Sequence, residues 1–392
     1  MTILRRIALT IAALLTVAPA LVAAESSRFN PSTHKSGELR FVEGLPVVTV
    51  GGSPEEMGEQ LGTLLKKPLG ELMRKQDDFA RGLGLGANAR DAIKSGLGRT
   101  GGWLFTSAFP EAYLRELRAT SKAAAIDANI LTIGNVMYEL AQFPACSTLG
   151  VEPARSATGG TLMGRNLDFP TFGFLDKYGV VVVYRPTGKR AFASITYPGF
   201  VGVFSGMNDA GLCVAQLEVN RSAEPTPRVN LGGTPVAMCF RRLLEECSTI
   251  DEAEKLLREQ KRLIMCNLAI CDREQAAVLE ITPKSVVRRT ADRGLCPCTN
   301  HFRTEKFAVG VNCPRYSKLS AAWKLDKLSV KDVGRLLDAV NQGDRTLQTM
   351  VFEPESLRLH LSLGPPPSSS RPLKPLELAK WLTEAGTNNS FD

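Results

Sequence analysis

Gln142-Phe143-Pro144-Ala145-Cys146-Ser147-Thr148 divides this 392-residue chain into two textures. On its N-terminal side the pattern is helical. Ser53-Pro54-Glu55-Glu56 opens a helix, because Ser53 can cap, Pro54 suits the first helical position and Glu56 completes a capping box. Met57, Leu61, Leu64 and Leu65 carry that helix on, and more helix is expected at about 111–125 and 128–140. Val47 to Val50 read as a short strand stopped by Gly51-Gly52, and residues 25–40 as an unstructured start. On the C-terminal side, strands predominate. Thr161 to Asp168 read as a strand leading into a functional loop. Hairpins are expected from Val180–Tyr184 with Ala191–Tyr197, from Val201–Gly206 with Leu212–Leu217 around Asn208-Asp209-Ala210-Gly211, from Ile264–Ile270 with Ala276–Ile281, and from Thr349–Glu353 with Leu357–Leu363. Helices capped by Thr249 and Ser329 interrupt them, ending near Leu263 and Gly343. Pro365 to Ser370 read as a linker to a short C-terminal helix. A helical front third followed by mostly antiparallel strand is an α+β chain without internal repeats.

The first residues have a different character. Arg5-Arg6 precede an apolar run from Ile7 to Ala24 that ends in Val22-Ala23-Ala24, with polar Glu25 to Arg28 behind it. This is the pattern of a secretory signal peptide over residues 1–24, so the expected location is exported, periplasmic or extracellular. No later segment is apolar enough to span a bilayer, and no stable membrane insertion is expected once the signal is removed. The remaining composition is ordinary for a globular chain, with 44% hydrophobic and 22% charged residues. The net charge of +8 is spread without interleaved aromatics, which argues for a solvated surface and against a nucleic-acid partner.

Several chemistries lack their residues. There are three histidines, His34, His301 and His360, and His34 falls in the start read as unstructured. G-x-S-x-G, H-E-x-x-H, a P-loop and a dinucleotide fingerprint are absent, so no cofactor and no metal are expected. Cys296, Cys298, His301 and Cys313 do not follow the usual zinc spacing. Nine cysteines in an exported chain suggest oxidised pairs with one thiol left over. Cys146 stands at the helix-to-strand boundary with no histidine nearby in sequence, and no papain-type signature supports pairing it with His301. A thiol of pKa about 8.5 needs a base. Cutting the Ala145–Cys146 bond would supply one, a new α-amine of pKa about 7.7–8.0 on the same residue. Read locally, an ordinary buried cysteine is the alternative.

Four motifs occur in order: Cys146-Ser147-Thr148, Gly164-Arg165-Asn166-Leu167-Asp168, Gly206-Met207-Asn208-Asp209-Ala210-Gly211-Leu212 and Thr299-Asn300-His301-Phe302. With Gly51 to Gly58 and Met350 to Pro354, they resemble the acyl-coenzyme A:6-aminopenicillanate acyltransferase family of self-processing cysteine N-terminal-nucleophile hydrolases, over about residues 45–365. More distantly they are similar to choloylglycine hydrolase and acid ceramidase. The resemblance implies a four-layer αββα sandwich of two antiparallel sheets between helical layers. It implies Cys146 as nucleophile with its freed amine as base, Asp168 holding that amine, and Arg165 beside the sulfur favouring the thiolate. A surface ion pair is the plainer reading of Arg165 and Asp168. Asn208 and Asn300 become oxyanion donors, although Asn208 before Asp-Ala-Gly is also a good turn former. Arg315 falls where related amidases keep an arginine near the site. Ala145 stands where the acyltransferase has glycine, which keeps the cut plausible and less assured. The expected protein is an exported cysteine amidohydrolase or acyltransferase. It would process a small-molecule amide or N-acyl substrate, as segments 25–145 and 146–392 that form one catalytic domain and stay associated after cleavage. Rival readings are a choloylglycine- or ceramidase-like hydrolase of N-acyl lipids, and a non-catalytic exported binding protein on the same scaffold.

Overall fold

The computed structural model describes residues 28–82, 108–141 and 145–383. The signal-peptide reading therefore falls outside the described residues. Sixteen strands form two sheets among those residues. The ten-stranded sheet has the order β1 (Ser32–His34), β2 (Gly37–Val42), β3 (Leu45–Gly52), β6 (Val180–Pro186), β7 (Phe192–Thr196), β8 (Ser205–Asn208), β9 (Cys213–Glu218), β10 (Cys266–Cys271), β11 (Ala276–Ile281) and β12 (Val286–Thr290). The six-stranded sheet has the order β13 (Leu295–Cys298), β4 (Ser147–Val151), β5 (Leu162–Asp168), β14 (Thr346–Glu353), β15 (Arg358–Leu363) and β16 (Lys374–Glu377).

The apolar residues sort into three layers of core. Helices α1 (Pro54–Leu64), α2 (Lys66–Gly82), α3 (Glu111–Ala124), α4 (Ala128–Ala141), α5 (Val236–Glu246) and α6 (Ile250–Glu259) pack on the outer face of the large sheet. Helices α7 (Pro314–Ser320) and α8 (Val330–Asp338) pack on the outer face of the small sheet, while the two inner faces pack on each other. The result is the expected αββα sandwich. Its logic is visible in β6, where Val180, Val182 and Tyr184 face the helices and Val181 and Val183 face the other sheet. A strand covered on both sides reads as one apolar run, with the alternation hidden. At Gly164 in β5, a Cβ would run into Val333 of α8, so the helix can approach only a glycine there.

Several local expectations hold. Ser53 and Glu56 form the reciprocal capping box of α1, and the same box closes α8 through Ser329 and Asp332. At Thr249 the hydroxyl caps α6 by accepting from the Glu252 N–H, while Glu252 reaches the N–H of Ser248 instead of Thr249. Other expectations are corrected. Residues 32–34 and 37–42 are not unstructured but form β1 and β2, because β2 pairs with β3 and β1 with β2. His34 thereby joins a strand, with Nε2 3.2 Å from Glu59 Oε1. The sheets are antiparallel except for one pair: β3 lies parallel to β6. All the chain from α1 to β5 separates those two strands, and a parallel pair needs such a crossover. The 365–370 run is not a linker. Its Ser368 is buried against Thr349 at 2.8 Å, and it leads to β16, which pairs with β15. Helices α6 and α8 end sooner than expected, at Glu259 and Asp338. Among the described residues, no helix is long and apolar enough to cross a membrane.

Candidate active site

Cys146 stands immediately before β4, on the inter-sheet side, 2% exposed. Strand β4 pairs with β5 in the register Ser147↔Asn166 and Thr148↔Arg165, so the end of β5 is carried to the cysteine. Arg165 is fully buried between the sheets. One of its amino groups donates to the Gln216 carbonyl on the opposite sheet, and the other lies 3.7 Å from Cys146 Sγ. The thiol itself lies 3.9 Å from the Asp168 carbonyl oxygen. Burial pushes the Cys146 pKa up, Arg165 pulls it back, and the Asp168 and Glu218 charges push it up again. The uncut thiol is thus a weak acid that the guanidinium only partly activates.

Asp168, also fully buried, accepts from the Thr346 hydroxyl through Oδ1 and has no hydrogen-bond partner at Oδ2. Burial raises its pKa to about 7, against the opposing pull of Thr346, Arg315 and Arg165. A carboxyl titrating near neutrality with one uncommitted oxygen is suited to proton transfer. Around it, the Ser147 hydroxyl and the Gln216 side-chain amide are buried without partners, and Tyr197, which packs on the same inter-sheet cluster as Cys146, has the Gln348 amide beside its hydroxyl. Each buried polar group left unmatched costs about 1–3 kcal/mol. Concentration of such groups near one thiol marks a place built for something other than packing.

Asn300 is placed by the loop after β13. Its Nδ2 donates to the Glu218 carbonyl at 2.9 Å, and its Oδ1 accepts from Arg315 at 3.1 Å. Arg315, at the start of α7, also donates to the carbonyl oxygens of Ala145 and Cys146. The structure therefore brings together five of the six side chains expected from the sequence: Cys146, Arg165, Asp168, Asn300 and Arg315.

Asn208 is the exception. Its Nδ2 donates to Leu244 and Cys247 at 3.0 and 2.7 Å, and its Oδ1 accepts from Ala210 and Leu212 at 3.1 and 2.9 Å. Every polar position of the amide is spent tying the β8–β9 turn to the end of α5. The antiparallel register Ser205↔Ala215 sets Asn208 at the turn end of the hairpin. Gln216 and Glu218, which meet Arg165 and Asn300, lie towards the other end, about 13 and about 20 Å further along at 3.3 Å per residue. The turn reading of Asn208 prevails, and the oxyanion role is withdrawn.

The structure adds residues that the sequence did not single out. Glu218, 3% exposed, supplies the carbonyl under Asn300, and Thr346 supplies the hydroxyl on Asp168. Gln216-Leu217-Glu218, polar residues ending an otherwise apolar strand, was the available signal. His301 stands beside Cys313, not Cys146. Burial raises the Cys313 pKa, but contacts with His301, the Tyr316 backbone and Thr299, with the Arg315 charge, bring it down to about 6. The expected disulfides are not formed: all nine cysteines are buried free thiols.

A cysteine at the head of an inner strand of an αββα sandwich, with an arginine and an aspartate beside it, is the arrangement that the resemblance to N-terminal-nucleophile hydrolases implied. The family model described as acyl-coenzyme A:6-aminopenicillanic acid acyl-transferase matches residues 155–322. That stretch holds Arg165, Asp168, Asn300 and Arg315 and stops short of Cys146. The chain is 28% identical over 143 residues to the N-acylethanolamine-hydrolyzing acid amidase of Cavia porcellus, covering 36% of this chain and 39% of the relative. It is 24% identical over 150 residues to the same protein of Mus musculus, covering 38% and 40%. The matches thus span about two fifths of the length of these curated relatives. Among solved structures, an acid amidase ortholog of this kind from Caenorhabditis elegans aligns at 16% identity and a TM-score of 0.44, over 57% of this chain and 96% of that one. A variant of conjugated bile acid hydrolase from Clostridium perfringens aligns at 14% and 0.45, over 60% and 93%.

Proposed function

We propose that this chain is an exported, self-processing cysteine hydrolase that breaks linear N-acyl amide bonds through an acyl-enzyme at Cys146. The observation that carries the reading is the placement of Cys146 Sγ, 3.7 Å from the Arg165 guanidinium and beside Asp168, at the head of β4.

Processing comes first. In the uncut chain the nitrogen of Cys146 is an amide and cannot serve as a base. Asp168, titrating near 7 and with Oδ2 uncommitted, is the group able to take the thiol proton. The sulfur attacks the Ala145 carbonyl carbon, the Ala145–Cys146 bond breaks, and the nitrogen leaves as an amine. Water then hydrolyses the Ala145 thioester, leaving a carboxylate on Ala145 and a free thiol and amine on Cys146. Turnover follows with a different base. The new amine, of pKa about 7.7–8.0, takes the thiol proton, and Asp168 is free to accept from it. An N-acyl substrate transfers its acyl group to sulfur, its amine departs with a proton, and water releases the acid. Asn300 keeps one N–H beyond the one given to Glu218, which suits it to a developing oxyanion.

The named relatives hydrolyse N-acylethanolamines, which makes an N-acyl lipid the first substrate to try. Residues 1–24 supply the export signal. The segment before Cys146 contributes β1–β3 to the large sheet, so the two pieces are expected to stay associated. Denaturing electrophoresis with N-terminal sequencing of purified, active protein tests the reading. Two pieces are expected, covering about 25–145 and 146–392, the second starting at Cys146. Active protein running as one intact chain would rule the mechanism out.

A further inference from the structure

We infer that Arg315 is the electrophilic group of the self-cleavage step, holding the carbonyl of the bond to be broken. The inference rests on the self-processing reading above. The guanidinium donates to Ala145 O, to Cys146 O and to Asn300 Oδ1, the last at 3.1 Å. Asn300 is itself fixed on the Glu218 backbone at 2.9 Å. Ala145 is 7% exposed, so its carbonyl is screened from bulk water.

This arrangement favours reaction over rest. A neutral peptide carbonyl needs no cation, and backbone N–H groups satisfy most such oxygens. When sulfur adds to the Ala145 carbon, the pair of electrons displaced from the C=O bond settles on that oxygen as negative charge. A fixed guanidinium in a buried setting gains far more from that anion than from the neutral carbonyl, which is the condition for lowering a barrier. The charge returns to the carbonyl as the C–N bond breaks, and the leaving nitrogen takes the proton that Asp168 removed from sulfur. Two of the three anchors, Cys146 O and Asn300, lie on the C-terminal side of the cut. Arg315 therefore keeps its place while its partner Ala145 O changes from carbonyl to carboxylate.

The test follows the cleavage rate in the full-length chain, by timed denaturing gels after synthesis, for wild type, Arg315→Gln, Arg315→Lys and Arg315→Ala. Removing a charge-stabilising donor typically slows such a step by about 100- to 1,000-fold. Arg315→Gln should show a loss of that order while its unfolding midpoint and near-ultraviolet circular dichroism stay those of a folded protein. Arg315→Lys should be intermediate, keeping the charge and losing the fork. Millimolar guanidinium, far below denaturing levels, should restore part of the Arg315→Ala rate. Cleavage of Arg315→Gln at the wild-type rate overturns the inference. So does a folded Arg315→Lys as slow as Arg315→Gln together with no guanidinium rescue, since the role would then be positional. Should Arg315→Gln fail to fold, the Lys variant and the rescue decide. A wild-type chain that never cuts refutes the proposed function itself, whereas a cutting wild type with an equally cutting Gln variant refutes only the role of Arg315.

Discussion

Arg241 and Arg165 both lie deep in the interior, and their surroundings differ. Arg241, in α5, is 1% exposed. It pairs with Glu116 of α3 at 2.6 Å and with Glu245 one turn on at 2.8 Å. Its guanidinium also lies over the rings of Tyr113 and Tyr184, 4.5 and 4.6 Å from their centres. Arg165 is as deeply buried, yet it has only a carbonyl and a thiol as partners, and its Nε has none. The first is a solved electrostatic problem, two carboxylates and an aromatic enclosure around one cation. The second is left open at the point where a thiolate and a substrate would complete it. Full satisfaction marks the joint between the segment before Cys146 and the one after it, and incomplete satisfaction marks the site.

The comparison can be broken by experiment. Cys146→Ala should abolish both the cut and turnover, read on the same gels and in hydrolysis of an N-acyl substrate. Normal hydrolysis by this variant would move the site elsewhere. Arg241→Met should cost about 3–5 kcal/mol of stability, because Glu116 would be left as an uncompensated buried charge, while Glu245 keeps Lys189 at 2.5 Å. Denaturant unfolding would show it, and an unchanged midpoint would make the two arginines equivalent. Arg165→Met should do the opposite, leaving the midpoint unchanged or raised while turnover falls about 10- to 1,000-fold, as expected if the thiol loses a cation that favours its ionised form by 1–3 pKa steps.

The smallest expected effect concerns pH. Burial raises Asp168 to about 7 and Glu139 to about 8, the latter against the pull of the Ala237 and Val236 backbone N–H groups. Both carboxyls hold a proton in the folded chain over a range where the unfolded chain has lost it. Their contribution to stability is therefore present below about pH 4 and is lost as pH rises through the folded values. The unfolding midpoint should fall between about pH 4 and 8, and Asp168→Asn should remove about 5 °C of that fall near neutrality. A midpoint that rises over the same range would contradict the buried, protonated state.

The sequence disclosed these features unevenly, for physical reasons. The caps of α1 and α8 were readable because both partners lie within three residues. Strand β6 was readable because five apolar β-formers in a row have few other uses. Strands β1 and β2 were missed because polar Ser32 to Arg40 carry no strand signal of their own and pair only because β3 is there. Asn208 was placed correctly in its turn but given a role at the site, since a motif shows spacing along the chain and not which strand end meets which. Among the site residues, Arg165 and Asp168 could be read because they share one strand. Glu218 and Thr346 could not, because each reaches the site from a strand distant in sequence.

By itself, then, the sequence determined the local elements, the division at Ala145–Cys146 and the cast of chemical groups, all properties of neighbours along the chain. Tertiary structure decided what depends on distant segments meeting: the parallel pairing of β3 with β6, the isolation of Arg165 between two sheets, and the seating of Arg315 on the carbonyl of Ala145. Those contacts join residues up to 170 apart, where only the closed fold can set a distance.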